Sequence, residues 1–136
     1  TWDAEGTKTF LGIHSKGFPN LFIVTGPQGG GGSFNFTDAI DAHGDYIMWM
    51  LSTLRDQGEE IVDIHSQPQE EYAEHCRKAD IMSAPLRDCL SYYNGHGDAD
   101  PGSLAYYGGG RWHKFRLAAQ DTLEPYIFGQ VDETTG

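Results

Sequence analysis

Apolar positions fall into short runs separated by turn residues. In "FPNLFIVTGPQ", the run Leu21 to Val24 is flanked by Phe18-Pro19-Asn20 and by Gly26-Pro27, and the glycines Gly29 to Gly32 follow. Its length, its Val/Ile/Phe content and its boundaries predict a short buried strand that delivers a bare loop. Glycine there permits backbone conformations, or close approaches, that other residues resist. Residues 7 to 13 also read as extended, joined to the segment 20 to 25 by His14 to Pro19.

After the glycines the period changes. Ile47, Met50, Leu51 and Leu54 recur at helical spacing, with Ile40 one stripe earlier, and predict a helix over Thr37 to Gln57. Asn35 or Thr37 can cap it, Asp38 and Asp41 lie in its first turns, and Gly58 stops it. Gly44 costs its middle about 1 kcal/mol relative to alanine, which points to a close neighbour there. "EIVDIH" (Glu60 to His65) alternates like a strand. A second helix starts at Ser66, where Ser66 and Gln69 form an S-x-x-Q capping box and Pro68 suits the first turn. Tyr72, Cys76 and Ala79 mark its buried face and Pro85 ends it. Ser91 to Gly110 is turn-rich, with a strand at Leu104 to Tyr107. A last helix spans about Arg111 to Leu123 with Trp112, Phe115 and Ala119 on one face, and "PYIF" closes as a strand before a loose tail.

The pattern is that of an α/β or α+β chain. Its 136 residues bound it to one modest core, and 18 glycines make it loop-rich. A net charge of -11 argues against nucleic acid or an anionic membrane as a partner, since both need a positive footprint. Nothing in the sequence is apolar for long enough to span a bilayer. Cys76 and Cys89 have no CxxC spacing and read as reduced thiols of a cytoplasmic chain. The start at Thr1, without an initiator Met, reads as a piece of a longer protein.

Strand, glycine loop and helix start (Leu21 to Gln57) form the strongest candidate site. A helix N-terminus offers unpaired N–H groups and the positive dipole end to an anion or a polarised carbonyl. The run matches neither a phosphate loop nor a dinucleotide fingerprint. The histidines His14, His43, His65, His75, His96 and His113 are scattered, so no metal site is expected, although His96, Asp98 and Asp100 offer a turn with ligand-type side chains. There is no G-x-S-x-G elbow. Tyr92, Tyr93, Tyr106 and Tyr107 suit either a ligand pocket or loop anchoring.

"FLGIHSKGFPNLFIVTGPQ" closely resembles the C-terminal segment of type I Baeyer–Villiger monooxygenases, flavoenzymes that insert one oxygen atom of O2 beside a ketone carbonyl. The register continues through Gly26-Pro27-Gln28, Ser33-Phe34-Asn35-Phe36, Asp41 and Asp45-Tyr46-Ile47. "SYYNGHGDADPGSLAYYGGGRWHKFRLAAQ" is similar to the family's "SWYxGAN(I/V)PGKP" region, so the resemblance covers nearly the whole chain. It implies the C-terminal part of a flavoprotein with two dinucleotide domains. Residues 1–60 would end the FAD-binding domain, 61–130 would form an extension with a mobile lid loop, and 131–136 a tail.

By the same resemblance Gly26, Pro27, Gln28, Asn35 and Phe36 lie at the pyrimidine edge of FAD, Ser33 and Phe34 face the ketone pocket, and Tyr92 sits on the lid over NADPH and substrate. A helix N-terminus suits the negative charge that reduced flavin carries near N1 and the C2 carbonyl.

The departures are Thr37 in place of the proline of an N-x-P turn, Gly30 where many members have proline, and Tyr92 in place of tryptophan. "GHGDADPGS" replaces "GANIPGK", losing a lysine and adding aspartates, and suits a dinucleotide phosphate less well. The chain holds no dinucleotide fingerprint, none of the family's F-x-G-x-x-x-H-x-x-x-W signature and no counterpart of its active-site arginine, so no catalytic residue is assigned. The implied partners are a ketone, O2 and the missing N-terminal part of the enzyme. Rival readings are an N- or S-oxygenating flavin monooxygenase, a non-catalytic binding module that kept the fold, and a small metal-binding domain at His96–Asp100.

Overall fold

A computed structural model describes residues 6–30, 35–78 and 111–132. The elements run α1 (Phe36–Gln57), β1 (Ile61–Ile64), α2 (Ser66–Lys78), α3 (Arg111–Asp121) and β2 (Tyr126–Gly129). The continuation of the second helix to Pro85, Cys89 and the strand expected at 104–107 lie outside the described residues.

α1 begins as the sequence predicts. The Asn35 side chain accepts from the Thr37 N–H, and Gly58 closes the helix in the left-handed conformation with its N–H on the last carbonyls. The buried face shares Met50 and Leu54 with the expected one but is rotated away from Ile40 and Leu51. Ala39, Ala42, His43, Tyr46, Met50 and Leu54 point inward, whereas Ile40 and Leu51 are 40% and 45% exposed. Gly44 meets no atom within 4 Å, so no part of the described chain uses the space.

β1 and β2 form an antiparallel ribbon in which Val62 faces Phe128 and Ile64 faces Tyr126. The other edge of β1 is covered by Asn20, which fills a strand's role from a turn. Its N–H donates to the Val62 carbonyl (3.0 Å), its Oδ1 accepts from the Val62 N–H (2.9 Å), and its Nδ2 donates to the Glu60 carbonyl (3.0 Å). This protects an edge that would otherwise be left open.

Segments 7–13 and 20–25 are not strands. The chain reverses at Leu11-Gly12-Ile13, with Phe10 and His14 paired across the turn. Leu11 and Gly12 both have positive φ, 61° and 70°. The run 20–25 touches the turn through one ladder-like bond, Ile23 N–H to the Ile13 carbonyl at 2.8 Å. In segment 7–13 the apolar content serves burial, with Leu11 and Ile13 fully buried, whereas the run Leu21 to Val24, expected as a buried strand, leaves Leu21 and Val24 43% and 46% exposed and only packs Phe22 against the core. Both segments lack the consecutive partners that make a strand.

α2 packs Tyr72, Ala73 and Cys76 inward. The expected capping box does not close: Gln69 is buried and its Oε1 accepts from the Lys16 N–H (2.8 Å). α3 buries Trp112 and Ala119. These residues join Phe10, Leu11, Ile13, Tyr46, Met50, Leu54, Val62, Ile64 and Tyr126 in one core. Burial raises the Cys76 thiol to about 12, outweighing its contact with Tyr72, so it is an inert core group.

The core is polar at its centre. Tyr126 OH donates to the Ala119 carbonyl (2.9 Å) and so must accept from Tyr46 OH (2.7 Å), which in turn accepts from His14 Nε2 (3.0 Å). The chain of donors places a hydrogen on Nε2 of His14. Burial lowers the His14 pKa to about 4, against a smaller opposite effect of the Asp63 carboxylate.

Two predictions follow from this packing. The unfolded chain protonates His14 near 6.5 and the folded chain near 4, so the unfolded state binds more protons between those values. Stability is complete above pH 6.5 and falls as pH drops toward 4, by on the order of 3 kcal/mol. Urea midpoints across that range should show the slope, and His14→Gln should flatten it. Gly12→Ala would drive a Cβ into the backbone of Gly29 from a left-handed conformation. A loss of at least about 3 kcal/mol in denaturant unfolding is expected.

Candidate functional site

The loop after Val24 is shaped by attachments to three parts of the fold. Gly29 N–H donates to the Gly26 carbonyl (3.1 Å) and closes a turn over Gly26 to Gly29. A Cβ at Gly26 would overlap the Ile23 side chain, and one at Gly29 would meet the Gly26 carbonyl at 2.9 Å and His43 Cε1 at 3.0 Å. Glycine is therefore required at both positions by the chain's own packing.

Gln28 faces inward and is 1% exposed. Its Oε1 accepts from the N–H (3.1 Å) and hydroxyl (2.8 Å) of Thr9, and its Nε2 donates to the Thr7 carbonyl (3.1 Å). Tyr72 OH donates to its main-chain carbonyl (2.5 Å), while Thr9 Oγ1 donates to the carbonyl of Pro27 (3.1 Å). The Gln28 side chain therefore braces the loop from within and is not presented to a ligand.

His43, buried on α1, spans the turn. Its Nδ1 accepts from the Thr25 N–H (3.0 Å), which leaves the hydrogen on Nε2, donated to the Gly29 carbonyl (3.0 Å). Its ring lies 4.8 Å from that of Trp112, tilted by 33°. Trp112 Nε1 donates to the Leu11 carbonyl (2.9 Å). Burial lowers the His43 pKa most, the Gly29 carbonyl acts the other way, and His113 opposes the charge. A proton on Nδ1 would also set a donor against the Thr25 N–H.

At the helix start, Asn35 Oδ1 accepts from both the N–H (3.0 Å) and the hydroxyl (2.6 Å) of Thr37. Phe36 is 56% exposed. His43 lies seven residues into the helix, about 10 Å along the axis from Phe36. The loop is thus fastened to the same helix whose N-terminus is offered outward.

Among the expected site residues, Gly26, Pro27 and Gln28 form the braced turn, and Asn35 and Phe36 form the exposed helix start. Ser33, Phe34, Tyr92 and the His96–Asp100 turn lie outside the described residues. Sequence reasoning missed Thr9, Tyr72 and His43 as loop supports. His43 carried a signal, since it is in helical phase with Tyr46, Met50 and Leu54. A separate cleft of about 800 Å³ opens between α2 and α3, lined by Phe10, Lys16, His65, Tyr72, His75 and Phe115 among others, and includes none of the expected site residues. Among the described residues, no group of three His, Cys, Asp or Glu side chains could hold a metal, and no helix is long and apolar enough to cross a membrane.

No protein-family model matches the chain. It is 33% identical over 70 residues to cyclopentanone 1,2-monooxygenase of Comamonas sp. (strain NCIMB 9872), a match covering 52% of this chain and 13% of that protein. It is 29% identical over 112 residues to a Baeyer–Villiger monooxygenase of Penicillium patulum, covering 78% of this chain and 18% of that one. The crystal structure of OTEMO in complex with FAD and NADP superposes with a TM-score of 0.75 at 21% identity, over 93% of this chain and 24% of that one. The chain spans less than a fifth of the length of these two relatives. It is a relative of the Baeyer–Villiger monooxygenases and carries the fold of one segment of those flavoproteins.

Proposed function

We propose that this chain is the C-terminal part of an FAD- and NADPH-dependent Baeyer–Villiger monooxygenase, which inserts an O2-derived oxygen next to a ketone carbonyl to give an ester or lactone. The observation that carries the reading is the braced loop beside an exposed helix start. The polar attachments described above run inward, to Thr7, Thr9, His43 and Tyr72, while Val24 and Phe36 remain 46% and 56% exposed. Such a surface fits one edge of a planar, electron-rich ring: main chain at close approach, an apolar contact and a helix dipole. The similarity to named monooxygenases supports the same reading.

FAD, reduced by NADPH, would supply the oxygen activation when bound. The chain's own residues bind, orient and enclose. Gly26 and Pro27 bring bare backbone to the flavin edge. Asn35 secures the first turn of α1, so that its dipole stabilises negative charge at that edge, and Phe36 keeps water from it. Gln28 acts through the shape it gives the loop. Ser33 and Phe34 would line the ketone side and Tyr92 would cover NADPH and substrate. No residue of this chain is assigned a proton or hydride transfer, which belongs to the cofactors and to the remainder of the enzyme.

In the full enzyme, Phe36→Glu should weaken FAD retention about tenfold or raise peroxide leakage, since a carboxylate would oppose the flavin charge at close range. Visible absorbance per protein and peroxide released per NADPH consumed measure both. Wild-type values for Phe36→Glu and for Gly26→Glu would remove the loop from the flavin edge. Tyr92→Ala should reduce ester formation from a ketone panel severalfold while flavin content stays near that of the parent. Equal loss of both would make Tyr92 a structural residue.

A further inference from the structure

His43 does more than fill the core. It joins both ends of the turn that opens after Val24, and it does so from the helix whose N-terminus faces outward. The backbone it holds is strained: Thr25, β-branched, has φ 53°, and Gln28 has φ 64°. A β-branched residue rarely adopts that conformation, and such strain persists only where surrounding contacts over-determine it. The contact at Thr25 is the His43 ring, 3.0 Å from its N–H. At the other end of the turn, the approach of the same ring helps to exclude a side chain from Gly29.

We infer that His43 is a positioning residue for the flavin-facing loop, its Nε2–H tautomer locking the backbone of Thr25 and Gly29 into the shape that meets the cofactor. The inference rests on the reading in the preceding subsection that this loop lies at the flavin edge. His43 itself touches no cofactor. It acts through two main-chain groups of opposite polarity, which a single neutral imidazole satisfies together. Trp112 stacks on the ring and is itself tied to the Leu11 carbonyl, so the ring has little freedom to turn. Loop and helix start are thereby set as one unit, and an error at His43 would displace backbone at the flavin edge without removing any group from it.

The test uses the flavin-loaded parent enzyme. His43→Asn keeps an acceptor near the Nδ1 position and His43→Gln keeps a donor near Nε2, so each preserves one of the two bonds. Both should raise the FAD dissociation constant about tenfold and shift the visible flavin band or its midpoint potential, well below the melting temperature. Tyr126→Phe, which cuts the distant Tyr46–Tyr126–Ala119 chain, serves as the stability control and should stay within twofold of the parent.

Values within twofold in both His43 variants, with Phe36→Glu still weakening FAD, would overturn the role of His43 and leave the loop's placement intact. Equal losses in the His43 and Tyr126 variants would also overturn it, as general destabilisation. Unchanged flavin binding in Phe36→Glu as well would remove the loop's placement and this inference with it. If neither His43 variant folds, histidine 15N shifts in the unaltered enzyme decide the matter. An Nε2–H ring supports the lock, and an Nδ1–H ring overturns it.

Discussion

The loop side of the molecule depends on one requirement. The Gly29 carbonyl is buried and the Thr25 N–H partly so, no strand or helix backbone pairs them, and they are of opposite polarity. An unsatisfied buried group of this kind costs about 1–3 kcal/mol. A neutral imidazole is donor on one side and acceptor on the other, and His43 places it between the two. Much else follows from making room for that ring. Gly29 carries no side chain beside Cε1, and the Trp112 ring lies 4.8 Å from that of His43. Gly12 then has to approach the Gly29 backbone more closely than any Cβ would permit.

One turn further along α1 the same device recurs in a different form. Tyr46 carries a hydroxyl into the centre of the core, where it links His14 on the N-terminal turn to Tyr126 on β2 and, through it, to α3. His43 and Tyr46 are three residues apart and therefore neighbours on one helix face. α1 is in effect a spine that fixes the loop with one ring and the ribbon and α3 with another. Apolar contact alone would hold these elements together with less orientational preference, whereas directed hydrogen bonds in a low-dielectric core select one arrangement.

Much of this scaffold was legible in the sequence because it follows from local rules. Asn35 and Gly58 bound α1, alternation marks β1, and Trp112, Phe115 and Ala119 mark α3. Two misreadings share a cause. The apolar content of segments 7–13 and 20–25 predicts strands, yet neither finds consecutive backbone partners, and in the second Leu21 and Val24 stay exposed. The helical spacing on α1 predicts the buried Met50 and Leu54 correctly but also places Leu51 and Ile40 in the core, whereas the buried face turns instead toward His43 and Tyr46. Composition does not announce that a histidine and a tyrosine will be satisfied inside. The expectation that Gln69 would cap α2 failed in the same way, because a distant N–H, that of Lys16, claimed it first. At the candidate site the glycines were legible as a demand for bare backbone. What makes the demand was not: at Gly26 and Gly29 it comes first from the protein's own packing.

The exposed apolar residues of α1 have a physical meaning of their own. A helix with one buried face ordinarily presents polar residues on the other, but here Phe36, Ile40, Met48 and Leu51 are exposed by 40–62%. Phe18, Leu21 and Val24 are exposed by 43–61% on the segment leading to the loop. Scattered exposed apolar residues need no explanation, whereas a stripe in phase on one helix together with the approach to a candidate site does. The relatives matched by this chain are several times its length. On the proposed reading, the inner face is pinned by His43 and Tyr46 and the apolar outer face is left for contacts beyond the described residues. Gly44 fits the same picture, since it interrupts the outer stripe where no atom of the described chain approaches. On this view the apolar pattern of α1 records two interfaces, and hydrophobic spacing alone draws Ile40 and Leu51 of the outer one together with Met50 and Leu54 of the inner one into a single stripe.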